Sequence, residues 1–196
     1  MNNTSFMHAT YEESYGQTFV EFHLGTTPLE GECTCAYQDG SGYNGLFRGG
    51  RFNGIGTYTW QDGSRYEGQW DGGLPHGKGT MLLLDGYRYE GEWQNGVAAG
   101  QGTETMPDGG RYTGQWKNGL KEGQGEVVYA DGKKYYGEWK GGMQHGKGIL
   151  FYTDGSRYEG EWKENGIIGR GTLTFWDGKI YEGEWKANKF NVLKVV

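Results

Sequence analysis

Tyrosines fall at positions 43, 66, 89, 112, 135, 158 and 181, each 23 residues after the last, with no insertion or deletion between them. Behind six of them the pattern Tyr-x-Gly-x-Trp is intact: YEGQW at 66, YEGEW at 89, YTGQW at 112, YYGEW at 135, and YEGEW at 158 and 181. At 43 it reads YNGLF, with phenylalanine for tryptophan. Two further signatures keep the same period: Gly-x-Gly at 54, 77, 100, 123, 146 and 169, and Asp-Gly at 39, 62, 85, 108, 131, 154 and 177. A strict short period means that each unit is one supersecondary motif. Such a motif cannot bury its apolar face alone and must stack on its neighbours.

Each unit carries two strand-like runs, for example SRYEGEW and GKGILFYT. An Asp-Gly bounded by such runs predicts a tight type I′ turn between one unit's second strand and the next unit's first. The longer connection, such as KGGMQ at 140–144, closes the other end. The fold expected is all-β: an elongated single-layer antiparallel sheet of consecutive β-hairpins. About sixteen strands at about 4.8 Å each would make a strip roughly 75 Å long. Alternation puts Tyr158, Gly160 and Trp162 on one face and Glu159 and Glu161 on the other. The glycines leave bare backbone for rings of adjacent strands to lie on, and Glu90 and Glu92 are expected beside Lys78 and Thr80.

Composition agrees with a repeat rather than a conventional core, since 40 of 196 residues are glycine and only 34% are hydrophobic. Fifteen tyrosines, eight tryptophans and eight phenylalanines argue against simple disorder. A net charge of -6 disfavours nucleic acid or an anionic bilayer as the default partner. The N-terminus MNNTSFMHATYEES has neither a basic start nor an apolar run, and the longest aliphatic run, Met81 to Leu84, is too short to span a membrane. A cytoplasmic protein is the expectation. Outside secretion, the sequon at Asn2 carries no weight.

The stretch GGLPHGKGT at 72–80 looks like a phosphate-binding loop, but Gly79 stands where the magnesium-binding hydroxyl should be, and GGMQHGKGI repeats it at 141–149. It is the Gly-x-Gly of a repeat. His76 and His145 occupy one repeat position, three units and about 29 Å apart along the strip, too far to share a metal. The paired glutamates of YEGEW recur on a solvated face where nothing separates their pKa values. Cys33 and Cys35 form no disulfide framework, supply too few thiolates for structural zinc, and read as structural or incidental thiols in a reducing compartment. No catalytic residue, metal or cofactor is expected, and the chain is not expected to be an enzyme.

The three coupled signatures resemble MORN repeats over roughly residues 20–190. The family's members include ciliary radial-spoke components, cytoskeletal scaffolds, junctional proteins and part of a lysine methyltransferase. The resemblance implies a protein-interaction scaffold in a ciliary, axonemal or cytoskeletal assembly, most like the radial-spoke-head type. It would grip a partner helix or peptide along a curved aromatic face. Most of the rings are expected to pack on glycine. The partner-binding candidates are Tyr66, Trp70, Tyr89, Trp93, Tyr112, Trp116, Tyr135, Trp139, Tyr158 and Trp162. The alternative is a peripheral membrane module holding anionic phospholipid head groups on a basic row: Arg65, Arg88, Arg111, Lys134, Arg157 and Lys179.

The ends depart from the pattern. Residues 1–19 read as an arm without repeat signature, and 20–42 as a degenerate capping repeat in which Val20 to Leu24 replaces YxGxW. The array runs from 43 to 190, and 191–196 form an apolar C-terminal end, a cap in preference to an edge that joins a second copy as a homodimer.

Overall fold

The computed structural model describes residues 30–37, 39–186 and 188–195. The N-terminal arm and the first half of the capping repeat lie outside the described residues. The chain folds into fifteen strands, paired in sequence order in one antiparallel sheet. They are β1 (Gly31–Ala36), β2 (Gly42–Arg48), β3 (Arg51–Thr59), β4 (Arg65–Asp71), β5 (Leu74–Leu82), β6 (Arg88–Gln94), β7 (Val97–Thr105), β8 (Arg111–Lys117), β9 (Leu120–Val128), β10 (Lys134–Lys140), β11 (Met143–Phe151), β12 (Arg157–Lys163), β13 (Gly166–Thr174), β14 (Ile180–Lys186) and β15 (Lys189–Val195). The even strands from β4 to β14 carry Tyr-x-Gly-x-Trp, β2 carries its variant YNGLF, and the odd ones from β3 to β13 carry Gly-x-Gly. Two compact units divide between Glu104 and Thr105.

The expected turn chemistry is reversed. At the Asp-Gly end, Trp60 N–H donates to Ser64 O (2.9 Å) and Gly63 N–H to Trp60 O (3.0 Å), which closes a three-residue loop over Gln61, Asp62 and Gly63. Only the glycine takes positive φ, at 88°. The Asp62 carboxylate accepts the Ser64 N–H (2.8 Å), and Asp108 and Asp154 do the same for Gly110 and Ser156. This side-chain bond holds the aspartate in an ordinary conformation and leaves the left-handed step to glycine, a type I turn with a bulge. The type I′ pattern, two successive residues with positive φ, sits at the opposite end: Gly72 and Gly73 (57° and 92°), Asn95 and Gly96 (50° and 84°). There Asp71 pairs directly with Leu74, so the connection expected to be longer is the shorter one. These turns are laced to the preceding repeat, as Gly73 N–H donates to Phe52 O and Gly96 N–H to Pro75 O, both at 2.9 Å.

The first glycine of each Gly-x-Gly makes a β-bulge. Pairing of β4 with β5 shifts register after Gly68↔Gly79, so that Gln69 faces His76, and Gly77 takes φ 61°. The bulge frees one backbone N–H, which the second variable residue of Tyr-x-Gly-x-Trp collects. Gln69 Oε1 accepts from Lys78 N–H (2.7 Å), Glu92 from Gln101 (3.0 Å), Gln115 from Gln124 (2.8 Å) and Glu138 from Lys147 (2.9 Å). Thr80↔Glu90 and Lys78↔Glu92 stand opposite across β5 and β6, as expected.

The tail belongs to the sheet. β15 pairs with β14 from Lys186↔Lys189 to Tyr181↔Val195 and keeps a bulge although Val192 and Lys194 replace the glycines. Residues 191–195 are therefore the second half of an edge strand begun at Lys189, and the array extends past the expected boundary at 190.

Candidate interaction surfaces

The ten aromatic residues expected to meet a partner form the core instead. Tyr66, Tyr112, Tyr135 and Tyr158 are 0% exposed, Tyr89 2%, and Trp70, Trp93, Trp116, Trp139 and Trp162 between 3% and 8%. The cause is local. Each tyrosine ring folds back over its own strand's glycine two residues on and the facing glycine of the next strand, so a Cβ on Gly79 would lie 2.5 Å from Tyr66 Cζ. Tyr66 Oη then donates to Gln69 O (2.9 Å), and Tyr89, Tyr112 and Tyr135 repeat the bond to the carbonyl three residues on. Tyr66, Tyr112, Tyr135 and Tyr158 each also meet two tryptophans edge to face. Tyr66 stands 4.8 Å from Trp70 and 5.2 Å from Trp93 in the first unit; Tyr135 stands 5.4 Å from Trp139 and 4.9 Å from Trp162 in the second. Such pairs contribute about 0.5–1.5 kcal/mol each beyond area burial. The indole N–H of Trp70, Trp93, Trp139 and Trp162 donates to the second glycine's carbonyl of the adjacent strand at 3.0–3.2 Å. With eight of the ten polar ring atoms bonded inside the sheet and all ten residues at most 8% exposed, they offer a partner little surface. Burial pushes the Tyr43 and Tyr158 hydroxyls up to about 12 and raises Tyr66 and Tyr135 further.

The basic row is at the surface: Arg65, Arg111, Lys134 and Arg157 are exposed and Arg88 is partly so. Carboxylates neutralise part of it. Arg88 pairs with Glu90 at 2.7 Å, both largely in water. Lys179 is misplaced in that row, because it lies in the Asp-Gly loop paired with Asp177 at 2.6 Å, and Ile180 takes the strand position.

On the face opposite the rings each unit carries an open groove. The first, about 730 Å³, lies over Gly68, Gly79 and Gly91 with Arg65, Lys78 and Arg88 interleaved with Glu67, Glu90 and Glu92. The second, about 790 Å³, has Glu138, Glu159, Glu161 and Glu182 against Lys147 and Arg170, beside the Tyr136 ring. His76 and His145 stand half-buried opposite Gln69 and Glu138, and no group of three or more metal-ligating side chains occurs among the described residues. Cys35 is disulfide-bonded, so its reading as an incidental thiol is corrected, while the Cys33 side chain lies outside the described residues.

Sequence reasoning missed one surface. Two residues before every Asp-Gly stands an apolar side chain: Tyr37, Trp60, Leu83, Met106, Tyr129, Tyr152 and Phe175, six of them half-buried and Phe175 37% exposed. The signal was the same 23-residue count. Leu84 and Trp176, one position on, are 75% and 72% exposed.

The MORN repeat model matches residues 43–65, 66–86, 89–111, 112–134, 135–157, 158–179 and 181–193. The chain belongs to the MORN-repeat family. Its units are thus MORN repeats whose tyrosine, tryptophan and glycine positions are those that build the ring-on-glycine core. No curated protein matches the chain. Among solved structures it is similar to the SAS-4 (dCPAP) TCP domain of Drosophila melanogaster, in complex with a proline-rich motif of Ana2. Identity there is 12%, covering 83% of this chain and 97% of that one, with a TM-score of 0.46. It is also similar to the Danio rerio CPAP TCP10 domain in complex with a STIL peptide, at 12% identity over 83% and 92% of the two chains and a TM-score of 0.33. A catalytically inactive virginiamycin B lyase from Staphylococcus aureus matches at 12% identity over 87% and 75%, with a TM-score of 0.23.

Proposed function

We propose that this MORN array is a non-enzymatic protein-interaction scaffold in a ciliary, axonemal or cytoskeletal assembly. The observation that carries the reading is the half-exposed apolar row at the Asp-Gly ends. One apolar side chain per repeat stays in partial contact with water while larger rings are buried beside it. Periodic, partly exposed apolar positions on a rigid scaffold suit a partner held at several points, and aromatic residues are favoured anchors in such contacts. Binding is thereby assigned to the hairpin ends and the grooves rather than to the tyrosine and tryptophan ladder.

The test is affinity capture from ciliated-cell lysate with mass spectrometry, comparing wild type with Trp60→Ser/Tyr152→Ser after a thermal melt shows the variant folded. Recovery of a small set of axonemal or cytoskeletal proteins by wild type only supports the reading. Recovery of membrane vesicles alone, abolished by high salt, would favour the exposed basic side chains at 65, 111, 134 and 157 as a head-group surface and sink the scaffold.

A further inference from the structure

We propose that a recess in the second unit, between Tyr129 and Tyr152, takes the trimethylammonium group of a methylated lysine on a partner protein; this rests on the scaffold reading. The preceding repeat shows what such rings hold. Lys121 sets its ammonium over the Tyr112 ring at 5.0 Å and over the Trp139 ring at 5.6 Å, close enough for each ring's negative face to attract the cation. One repeat on, 23 residues later, the tryptophan recurs as Trp162 but Gln144 stands in place of the lysine. Gln144 is 5% exposed and donates from Nε2 to Tyr129 Oη at 2.7 Å, so it brings no charge to the rings. Beside it opens a recess of about 390 Å³, walled by the aromatic side chains Tyr129, Tyr152, Trp162 and Trp185 together with Leu150 and Ile167. The recess thus offers aromatic walls to a cation without the lysine that the preceding repeat supplies.

The lining selects a methylated ammonium over a plain one. A lysine ammonium has three N–H donors, each of which needs an acceptor when it leaves water. Three acceptors of the lining are already engaged: Asn165 Oδ1 by the Gln144 N–H at 2.9 Å, Asn188 Oδ1 by the Ile167 N–H at 2.6 Å, and Tyr129 Oη by Gln144. Methylation removes the donors, keeps the charge and gives the ion an apolar surface to set against the rings. Leu150 and Ile167 suit the aliphatic stem of the side chain that carries it. At the rim, Asp131 pairs with Lys133 at 2.8 Å, which neutralises the lysine of the lining. The same carboxylate opposes the phosphate that a phosphocholine head group would bring beside its ammonium.

The test titrates a fluorescein-labelled glycine-serine decamer carrying one trimethyllysine with the full chain by anisotropy. Beside it run the same peptide with unmodified lysine and a carbon isostere in which tert-butyl replaces trimethylammonium, and phosphatidylcholine vesicles serve as competitor. Saturable binding of the trimethyllysine peptide is expected, with the other two peptides roughly tenfold weaker and no displacement by the vesicles. Tyr152→Leu, which keeps apolar bulk and removes the ring, should weaken binding roughly tenfold. Gln144→Lys, which restores the ammonium of the preceding repeat, should abolish it. Lys133→Gln should tighten it, and Glu159→Gln on the opposite face should leave it unchanged. Thermal melts establish that each variant is folded; should Tyr152→Leu fail to fold, Gln144→Lys and the isostere comparison decide. No saturable binding, equal binding of the lysine peptide or the isostere, indifference to Gln144→Lys, or displacement by the vesicles each overturns the proposal. If lysate capture still depends on the Asp-Gly row when the trimethyllysine peptide fails, the scaffold stands and only this occupant falls.

Discussion

Replacing Gly79 by alanine tests whether rings on glycine hold the sheet together. Gly79 has an ordinary backbone conformation, so alanine meets no φ penalty there, yet its Cβ would collide with the Tyr66 hydroxyl and lie 2.5 and 2.7 Å from Cζ and Cε2. Overpacking of this kind costs about 1–3 kcal/mol. Displacing the ring also breaks the bond from Tyr66 Oη to Gln69 O, roughly 1 kcal/mol more, offset by about 0.4–1 kcal/mol from the stiffer unfolded chain. The net is about 1–3.5 kcal/mol, which for a chain of this size lowers Tm by about 2–14 °C. Gly72 is the control: φ is 57° and no atom lies within 4 Å, so Gly72→Ala bears only the left-handed cost of about 1–2 kcal/mol. Calorimetry on both variants and on Tyr66→Ala/Gly79→Ala separates the causes. In the double variant the collision is gone, and the second substitution should add under about 0.5 kcal/mol to the first. Strict additivity, or a Gly79→Ala melt within about 1 °C of wild type, would refute the packing argument.

Alkaline pH should unfold the array early. The folded pKa of Tyr43 and Tyr158, about 12, lies above the ordinary 10. Their contribution is complete below pH 10 and lost as pH rises from there through 12, at up to about 1.36 kcal/mol per pH unit for each such tyrosine; urea midpoints on either side of pH 10 would show the fall, and a flat profile would refute it. Glu138→Gln should leave stability within about 0.5 kcal/mol, because Gln69 and Gln115 close the same bulge as amides, whereas Glu138→Ala should cost about 0.5–1.5 kcal/mol in chemical denaturation. Asp154→Ala loses the bond from Ser156 N–H and should lower Tm by about 1–4 °C. Arg88→Gln removes a water-exposed pair and should shift the melt by no more than about 2 °C; a larger loss would mean the polar face is part of the structural framework.

Strand number, order and facing were legible because they follow from two periodicities, 23 along the chain and 2 along the strand. The turns were not, because the Asp-Gly rule considers two residues while the loop is decided by a third. The N–H of Ser64 gives the Asp62 carboxylate a partner and keeps the aspartate out of the left-handed region. Burial of the rings was only half legible. Alternation shows which face carries Tyr66 and Trp70 but not what covers them, and the cover is the neighbouring repeat's own tryptophan, Trp93.

That cover is why the proposed binding surface lies elsewhere. A strand such as Leu74–Leu82, with two glycines beneath rings or in a bulge, has too few aliphatic side chains to make a core, so tyrosine and tryptophan must supply it. Every position that recurs without change is then committed to structure. Of the positions that vary from repeat to repeat, some are buried, as at Tyr58, Met81, Glu104 and Val127, while two rows face outward throughout. One runs Glu67, Glu90, Thr113, Tyr136, Glu159, Glu182, and another Ile55, Lys78, Gln101, Gln124, Lys147, Arg170. Tyr136 at 52% exposure and Ile55 at 67% show how freely these sites face outward. Discrimination between partners has to come from side chains that differ along the array, since identical repeats would hold a ligand equally well in every register.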